Sequence, residues 1–282
     1  MKDPKNIIGV VKIGGAKGNA PETLLRDLSL RLAAGEKWVL VHGASGAMED
    51  LCEAAGREPQ YVTSPSGFRS RYVPQETLRL FEYACASFSV GLISSLARLG
   101  VPAEPLYPVD AVTGKARRKD VLRVVEGGKK RILRGNYSGS VTSFDPGPVL
   151  DSWKKGFLPL LPPLASDEDG KGSLNVDGDR LAAAAAAALG ADILLIFTNV
   201  PGLMKDPSDP TSLIPEGYLE DWEDVESFAK GNMKRKILAA REAIEGGVSK
   251  VVLADSRNDR PLIRALDGGG TVLCRKCTGT EE

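Results

Sequence analysis

Near its start the chain twice repeats one construction: an apolar strand, a glycine-rich turn, then a helix. Ile7-Ile8-Gly9-Val10-Val11 runs into Lys12-Ile13 and then Gly14-Gly15-Ala16-Lys17-Gly18. Ala20 to Leu32 follows, with Leu24, Leu25, Leu28 and Leu32 at helical spacing and Pro21 and Glu22 suited to a first turn. Lys37-Trp38-Val39-Leu40-Val41-His42 is a second apolar strand, ending in Gly43-Ala44-Ser45-Gly46-Ala47 and a helix from Met48 to Ala55. Strands that alternate with helices build a parallel α/β sheet, whose site sits at the carboxyl ends of the strands. Bare glycine backbone can crowd N–H groups around an anion, and Lys12 supplies a point charge beside it. The first turn therefore reads either as the anchor of a phosphoryl-transfer site or as an ordinary glycine turn with an exposed lysine.

Bulk properties narrow the class. With 282 residues, 42% hydrophobic and 26% charged, the chain can bury a proper core in one large domain or two lobes. A formal net charge of zero gives no global field toward nucleic acid or membrane. Met1-Lys2-Asp3-Pro4 holds no apolar signal core, and no run is expected to reach transmembrane length, which points to a cytoplasmic protein. Cys52 and Cys85 fall in helical patterns and read as core thiols. Cys274 and Cys277 form one C-x-x-C without a second pair, which reads as an incidental tail feature.

Five further stretches carry polar chemistry. His42, the one histidine, ends a buried strand beside a glycine turn, where orienting the turn is the plainer role and general base the alternative. Thr63 to Pro74 reads as a loop whose Arg69 and Arg71, two apart, share a face if extended; one of them can bind a carboxylate. Lys115 to Arg134 concentrates basic residues: Lys115, Arg117, Arg118, Lys119, Arg123, Lys129, Lys130, Arg131 and Arg134, against Asp120 and Glu126. Its centre is two strands about Gly127-Gly128, either a soluble edge hairpin or a landing surface for an acidic partner. Asn175-Val176-Asp177-Gly178-Asp179 opens an alanine-rich helix with more side-chain oxygens than one cap requires. Lys234, Arg235 and Lys236 open a later helix, against its macrodipole unless an anion neutralises them.

In order and spacing, Lys12-Ile13-Gly14-Gly15, Val41-His42-Gly43-Ala44-Ser45, Asn175 to Asp179, Thr198-Asn199-Val200-Pro201-Gly202 and Gly231-Asn232-Met233-Lys234-Arg235-Lys236 resemble the amino acid kinase superfamily, from Val11 to about Val272. Pro65-Ser66-Gly67, Ser70-Arg71, Arg134-Gly135-Asn136-Tyr137-Ser138-Gly139 and the basic hairpin narrow the resemblance to the acetylglutamate kinase branch. Within it the chain is most similar to the kinases that act on aminoadipate or glutamate carried on the small acidic protein LysW.

The resemblance implies a three-layer αβα sandwich with a mainly parallel sheet. Residues 1–165 would form an acceptor-binding lobe with the hairpin at 115–134, residues 166–273 an ATP-binding lobe, and 274–282 a tail, with the Gly-containing stretch Asp167 to Gly172 at the seam. Lys12, Lys236 and Asp179 would be catalytic, the lysines stabilising the transferring phosphoryl group and Asp179 organising them. Gly14, Gly15, Gly43 and Ala44 would supply backbone donors to phosphate. Arg71, Asn175 and Gly67 would bind the acceptor, and Thr198, Asn199, Val200, Gly202 and Leu203 the nucleotide. Arg117, Arg118, Lys129 and Lys130 would dock the carrier. ATP and Mg²⁺ are the implied cofactors, with no protein metal-ligand set, and a homodimer is the implied assembly. The family commonly has glycine where Ala44 stands, so either the backbone there avoids left-handed φ or the loop is shifted. A kinase for free N-acetylglutamate is the same-class alternative. A non-catalytic nucleotide-sensing module is the alternative of another class, and the two lysines argue against it.

Overall fold

The computed structural model describes residues 7–16, 21–65, 67, 69–109, 112–209 and 211–276. The chain runs β1 (Ile8–Ile13), α1 (Pro21–Ala33), β2 (Lys37–His42) and α2 (Ser45–Ala54). Two three-residue strands, β3 (Tyr61–Thr63) and β4 (Arg69–Arg71), lead to the long α3 (Gln75–Arg98). Then come β5 (Ala103–Pro105), β6 (Gly114–Arg118), β7 (Leu122–Glu126), β8 (Lys129–Leu133), β9 (Gly139–Phe144), α4 (Gly147–Lys154), β10 (Leu158–Leu161), β11 (Leu164–Asp167) and β12 (Ser173–Asn175). The remainder is α5 (Gly178–Ala188), β13 (Ile193–Thr198), β14 (Glu216–Tyr218), a 3₁₀ turn and α6 (Trp222–Ser227), α7 (Met233–Glu245), β15 (Lys250–Asp255), α8 (Pro261–Leu266) and β16 (Thr271–Cys274).

The chain packs as two compact units, each discontinuous in sequence. Unit 1 comprises 1–13, 19–40 and 182–282; unit 2 comprises 14–18 and 41–181. Residue 165, where the resemblance sets a lobe boundary, lies inside unit 2, and Asp167 to Gly172 is there the turn between β11 and β12.

In unit 1 the strands lie in the order β14-β16-β15-β13-β1-β2. The pairs β1/β13, β13/β15 and β14/β16 are parallel and β15/β16 is antiparallel. The mixed α/β architecture and mainly parallel sheet are as expected. Val10, Val11, Leu194, Leu195, Ile196, Val251 and Val252 are fully buried, as the unbroken apolar runs of a two-sided parallel sheet require. Buried Asp27 on α1 accepts from the N–H groups of Leu262 (3.1 Å) and Ile263 (3.4 Å), so one helix's carboxylate caps another's start.

Unit 2 is built from smaller pieces. β10 and β5 pair in parallel, and two four-stranded sheets run β12-β11-β6-β9 and β4-β3-β7-β8. The stretch expected to be a loop, Thr63 to Pro74, instead carries β4, which pairs antiparallel with β3. β7 and β8 form the expected hairpin; Gly127 (φ 57°) and Gly128 (φ 77°) both take positive φ, as a type I′ turn demands. The basic stretch is not all hairpin, however. Lys115, Arg117 and Arg118 lie on β6, in the other sheet. Cys52 and Cys85 are core thiols, packed with Met48, Leu78, Phe81, Ala84 and Leu164. Burial, and then the charge of Glu82, push the Cys85 thiol above its usual range. Cys277 lies outside the described residues. The expectation about transmembrane length needs correction: α3, at 24 residues, is long and apolar enough to cross a bilayer by length and composition. Leu78, Phe81, Ala84, Cys85, Leu92 and Leu96 along it are buried within the protein.

Candidate active site

The candidate residues divide between the units. Unit 1 carries Lys12, Lys236 and Thr198 to Leu203. Unit 2 carries Gly14, Gly15, Gly43, Ala44, Gly67, Arg71, Asn175 and Asp179, with Arg117, Arg118, Lys129 and Lys130.

In unit 2 the two glycine turns pack backbone on backbone. A Cβ on Gly15 would meet Gly43 C at 2.2 Å and Ala44 N at 2.3 Å, and one on Gly43 would meet Gly15 N at 2.5 Å. Only glycine permits that approach. The Gly46 N–H donates to Gly15 O at 2.6 Å, locking the turns together. α2 begins at Ser45, three residues earlier than expected, so the turns sit at a helix N-terminus, where amides and dipole favour an anion. Ala44 is resolved by its geometry. Its φ is −142°, so alanine carries no left-handed penalty, and its methyl packs in the cluster with Met48 and Cys52. Among the described residues no non-glycine has positive φ.

His42 sits under these turns, fully buried. Nδ1 lies 3.0 Å from Gly43 O and Nε2 2.8 Å from Ser89 Oγ, which is 2.9 Å from Tyr107 Oη. If Nδ1–H donates to the Gly43 carbonyl, Nε2 accepts from Ser89. The ring orients the turn, the plainer of its two sequence readings. Burial raises the Tyr107 hydroxyl above its usual range, against the lowering effect of its Ser89 bond.

Arg71 pairs across the ribbon with Tyr61. Its guanidinium donates to Tyr61 Oη at 3.0 Å, and it lies 5.4 Å from that ring's centre while Arg69 lies 4.3 Å from it. The two arginines thus share a face, as their spacing predicted. Arg71 Nε is buried without a hydrogen-bond partner among the described residues. Such a donor costs about 1–3 kcal/mol unless met, and a bound carboxylate would meet it. Gly67 turns the chain between β3 and β4 at φ 82°, its N–H donating to Ser64 O. Asn175 ends β12, its N–H donating to Tyr137 O at 3.0 Å. Asp177 is the cap of α5: Oδ1 accepts from the N–H groups of Asp179 (2.9 Å) and Arg180 (3.2 Å). Asp179 is buried in the first turn of the same helix.

In unit 1, Lys12 is only 7% exposed, on a strand paired residue for residue with β13. Lys234, Arg235 and Lys236 occupy the first turn of α7, which holds no acidic residue, and Lys236 is half-buried. Thr198 ends β13, its carbonyl accepting from Ser256 N at 2.9 Å. The loop after it is pinned by a residue that sequence reasoning missed. Buried Thr271 Oγ1 accepts from the Leu203 N–H (2.8 Å) and donates to Ile214 O (2.6 Å). A Cβ on Gly202 would lie 2.6 Å from the same oxygen. Asn199 faces outward and Val200 is half-buried. No local pattern marks Thr271, because its partners are distant in sequence.

The proposed docking residues differ among themselves. Lys129 and Lys130 are exposed on β8. The Arg117 side chain is 77% exposed and pairs with Glu168. The Arg118 side chain is 19% exposed; it stacks 3.7 Å from the Tyr137 ring centre and bonds Asp120 and Asn136 O. Among the described residues no group of three or more His, Cys, Asp or Glu could hold a metal ion.

Comparison with known proteins follows the same lines. Residues 8–255 match the model of the amino acid kinase family. The [LysW]-aminoadipate kinase of Deinococcus radiodurans is 44% identical over 265 residues, covering 94% of this chain and 90% of that protein. The [LysW]-aminoadipate kinase of Thermus thermophilus is 38% identical over 267 residues, covering 94% and 99%. The [LysW]-aminoadipate/[LysW]-glutamate kinase of Saccharolobus solfataricus is 34% identical over 266 residues, covering 94% and 98%. Among solved structures, N-acetylglutamate synthase from Neisseria gonorrhoeae superposes with a TM-score of 0.77 at 24% identity, covering 96% of this chain and 60% of that one. Carbamate kinase from Giardia lamblia superposes at 0.65 and 16%, covering 97% and 100%. At those identities the structures speak for the fold alone. With the family model spanning both glycine turns and both units, the chain belongs to the amino acid kinase family.

Proposed function

We propose that the chain is an ATP-dependent kinase that phosphorylates the side-chain carboxylate of 2-aminoadipate, glutamate or both, carried on LysW, in lysine biosynthesis and, where glutamate is the acceptor, in arginine biosynthesis. The observation that carries this reading is the near full-length similarity to proteins named [LysW]-aminoadipate kinase, the first at 44% identity over 94% of the chain. The exposed Lys129 and Lys130 on β8 support it, since an acidic carrier needs a basic landing surface.

The chemistry fits the residues. An acceptor carboxylate oxygen forms a bond to the γ-phosphorus as the bond from that phosphorus to the β-phosphate oxygen breaks, giving an acyl phosphate and ADP. A carboxylate is already ionised at pH 7, so no general base is needed and His42 is free to orient the turn. Lys12 and Lys236 stabilise charge on the phosphoryl group, and the amides at Gly15 and Ala44 assist. Arg71 and Asn175 hold the acceptor, and Thr198 to Leu203 contact the nucleotide. Mg²⁺ is proposed to arrive on the phosphates and to neutralise their charge, a mode that needs no protein cage. The proposed setting is the cytoplasm. The proposed assembly is a homodimer, and α3 leaves Tyr83 and Val90, seven residues apart, exposed for a second copy to cover.

A hydroxamate assay with three acceptors tests the reading: carrier-linked aminoadipate, carrier-linked glutamate and free N-acetylglutamate. Turnover of a carrier-linked acceptor is expected. Turnover of free N-acetylglutamate alone would sink the proposal.

A further inference from the structure

Arg71 and Asn175 lie in different sheets of unit 2, on β4 and β12. One dipeptide, Asn136-Tyr137, is hydrogen-bonded toward both. Asn136 is fully buried and uses its whole side chain. Oδ1 accepts from the Val73 N–H at 3.0 Å, and Nδ2 donates to Lys119 O at 2.8 Å and to Ser138 Oγ at 2.6 Å. The next N–H, of Tyr137, donates to Val73 O at 2.7 Å, and the Tyr137 carbonyl accepts from the Asn175 N–H at 3.0 Å. Val73, two residues past Arg71, and Asn175 itself are therefore fastened to adjacent residues.

The same point closes the base of the hairpin. The Asn136 N–H donates to Asp120 O at 3.2 Å, just before β7, and Tyr72 Oη donates to Arg134 O at 2.6 Å, just after β8. Arg118 holds the dipeptide in place. Nε donates to Asn136 O at 2.8 Å while the guanidinium stacks on Tyr137. An asparagine with every group satisfied in a buried network fixes one geometry, because any other leaves a buried amide unmet.

We infer that Asn136 is a positioning residue for the acceptor site, setting the separation between the Arg71 strand and Asn175, with Arg118 keeping the dipeptide rigid. The inference rests on the proposed reading that Arg71 and Asn175 hold the acceptor. Small misplacements of binding groups cost far more than their size suggests.

Steady-state kinetics of Asn136→Ala and Asn136→Asp, with acceptor and ATP varied separately, test it. The expected result is a KM for carrier-linked aminoadipate raised about tenfold or more, with the KM for ATP within about twofold. A role in stability alone would instead lower Tm and the active fraction and leave both KM values in place, which overturns the inference. Should the Asn136 variants not fold, Arg118→Lys keeps the charge while removing the Nε bond and the planar stack. Its acceptor KM should rise about threefold, and an unchanged value overturns the inference. Arg71→Ala separates the two levels. If it leaves acceptor KM unchanged, the acceptor-site reading fails and the inference with it. If it raises acceptor KM and folded Asn136→Ala does not, the inference alone fails. In the double variant, an acceptor KM no higher than that of Arg71→Ala supports coupling through this arginine.

Discussion

Unit 1 carries Lys12 on a six-residue strand buried along five positions and paired on β13, while unit 2 carries Arg71 on a three-residue strand at the edge of a small sheet. The first charge is held by a sheet whose apolar runs fix its depth. The second is held by polar contacts: Tyr61 beneath it and Asn136 two residues along. Parallel-sheet burial gives a rigid platform, which would suit the phosphoryl role proposed for Lys12. A polar ribbon is adjustable by single substitutions, which would suit the acceptor role proposed for Arg71.

The largest expected effect tests the rigid side. Lys12→Ala and Lys236→Ala should each lower kcat by roughly 10²–10³-fold, the cost of removing one transition-state donor, with the unfolding midpoint little changed. Intact turnover in either would refute its assignment. Next, Gly15→Ala forces a methyl into Gly43 and Ala44 backbone. Separating the turns should cost about 1–3 kcal/mol in denaturant unfolding and reduce turnover, where a Gly91→Ala control, exposed on α3 with open space at its Cβ, would leave turnover alone. Thr271→Val, which strips the bonds to Leu203 N and Ile214 O, should cost about 1–3 kcal/mol and raise KM for ATP before that for the acceptor.

Charge reversal at Lys129 and Lys130 probes the adjustable side. The KM for a carrier-linked acceptor should rise several-fold at low salt, an effect that shrinks as ionic strength increases, and a small free acceptor should be unaffected. The smallest effect belongs to a surface pair of unit 1. A side-chain hydrogen bond from Arg257 holds the Asp255 carboxyl below its usual range, against the opposing effect of burial. A depressed folded pKa contributes stability above the unfolded value, about 3.9, and loses it as pH falls through the folded value. Arg257→Gln should therefore raise the Asp255 pKa in an NMR titration and be slightly less stable than the parent at pH 6, the gap closing in acid.

The units also differed in how far local patterns reached. Unit 1's strands and the Gly127-Gly128 hairpin were legible because burial on both faces and paired positive φ leave local signatures. The ribbon of β3 and β4 was not, since three-residue strands carry no period to read. Arg117 and Arg118 were equivalent as letters, and only the fold sends one to solvent and the other onto Tyr137.

By itself the sequence determined the α/β class, the glycine turns beside Lys12, the surplus of side-chain oxygens from Asn175 to Asp179 at a helix start, and the family. These follow from side-chain period, backbone permissiveness and helix-end chemistry, all set within a few residues. The tertiary structure decided the discontinuous units, the harmless φ of Ala44, the pin at Thr271 and the fastening at Asn136. Each depends on a partner tens of residues away or on a backbone angle that packing imposes, and hydrogen bonds between such partners leave no trace in the local order of residues.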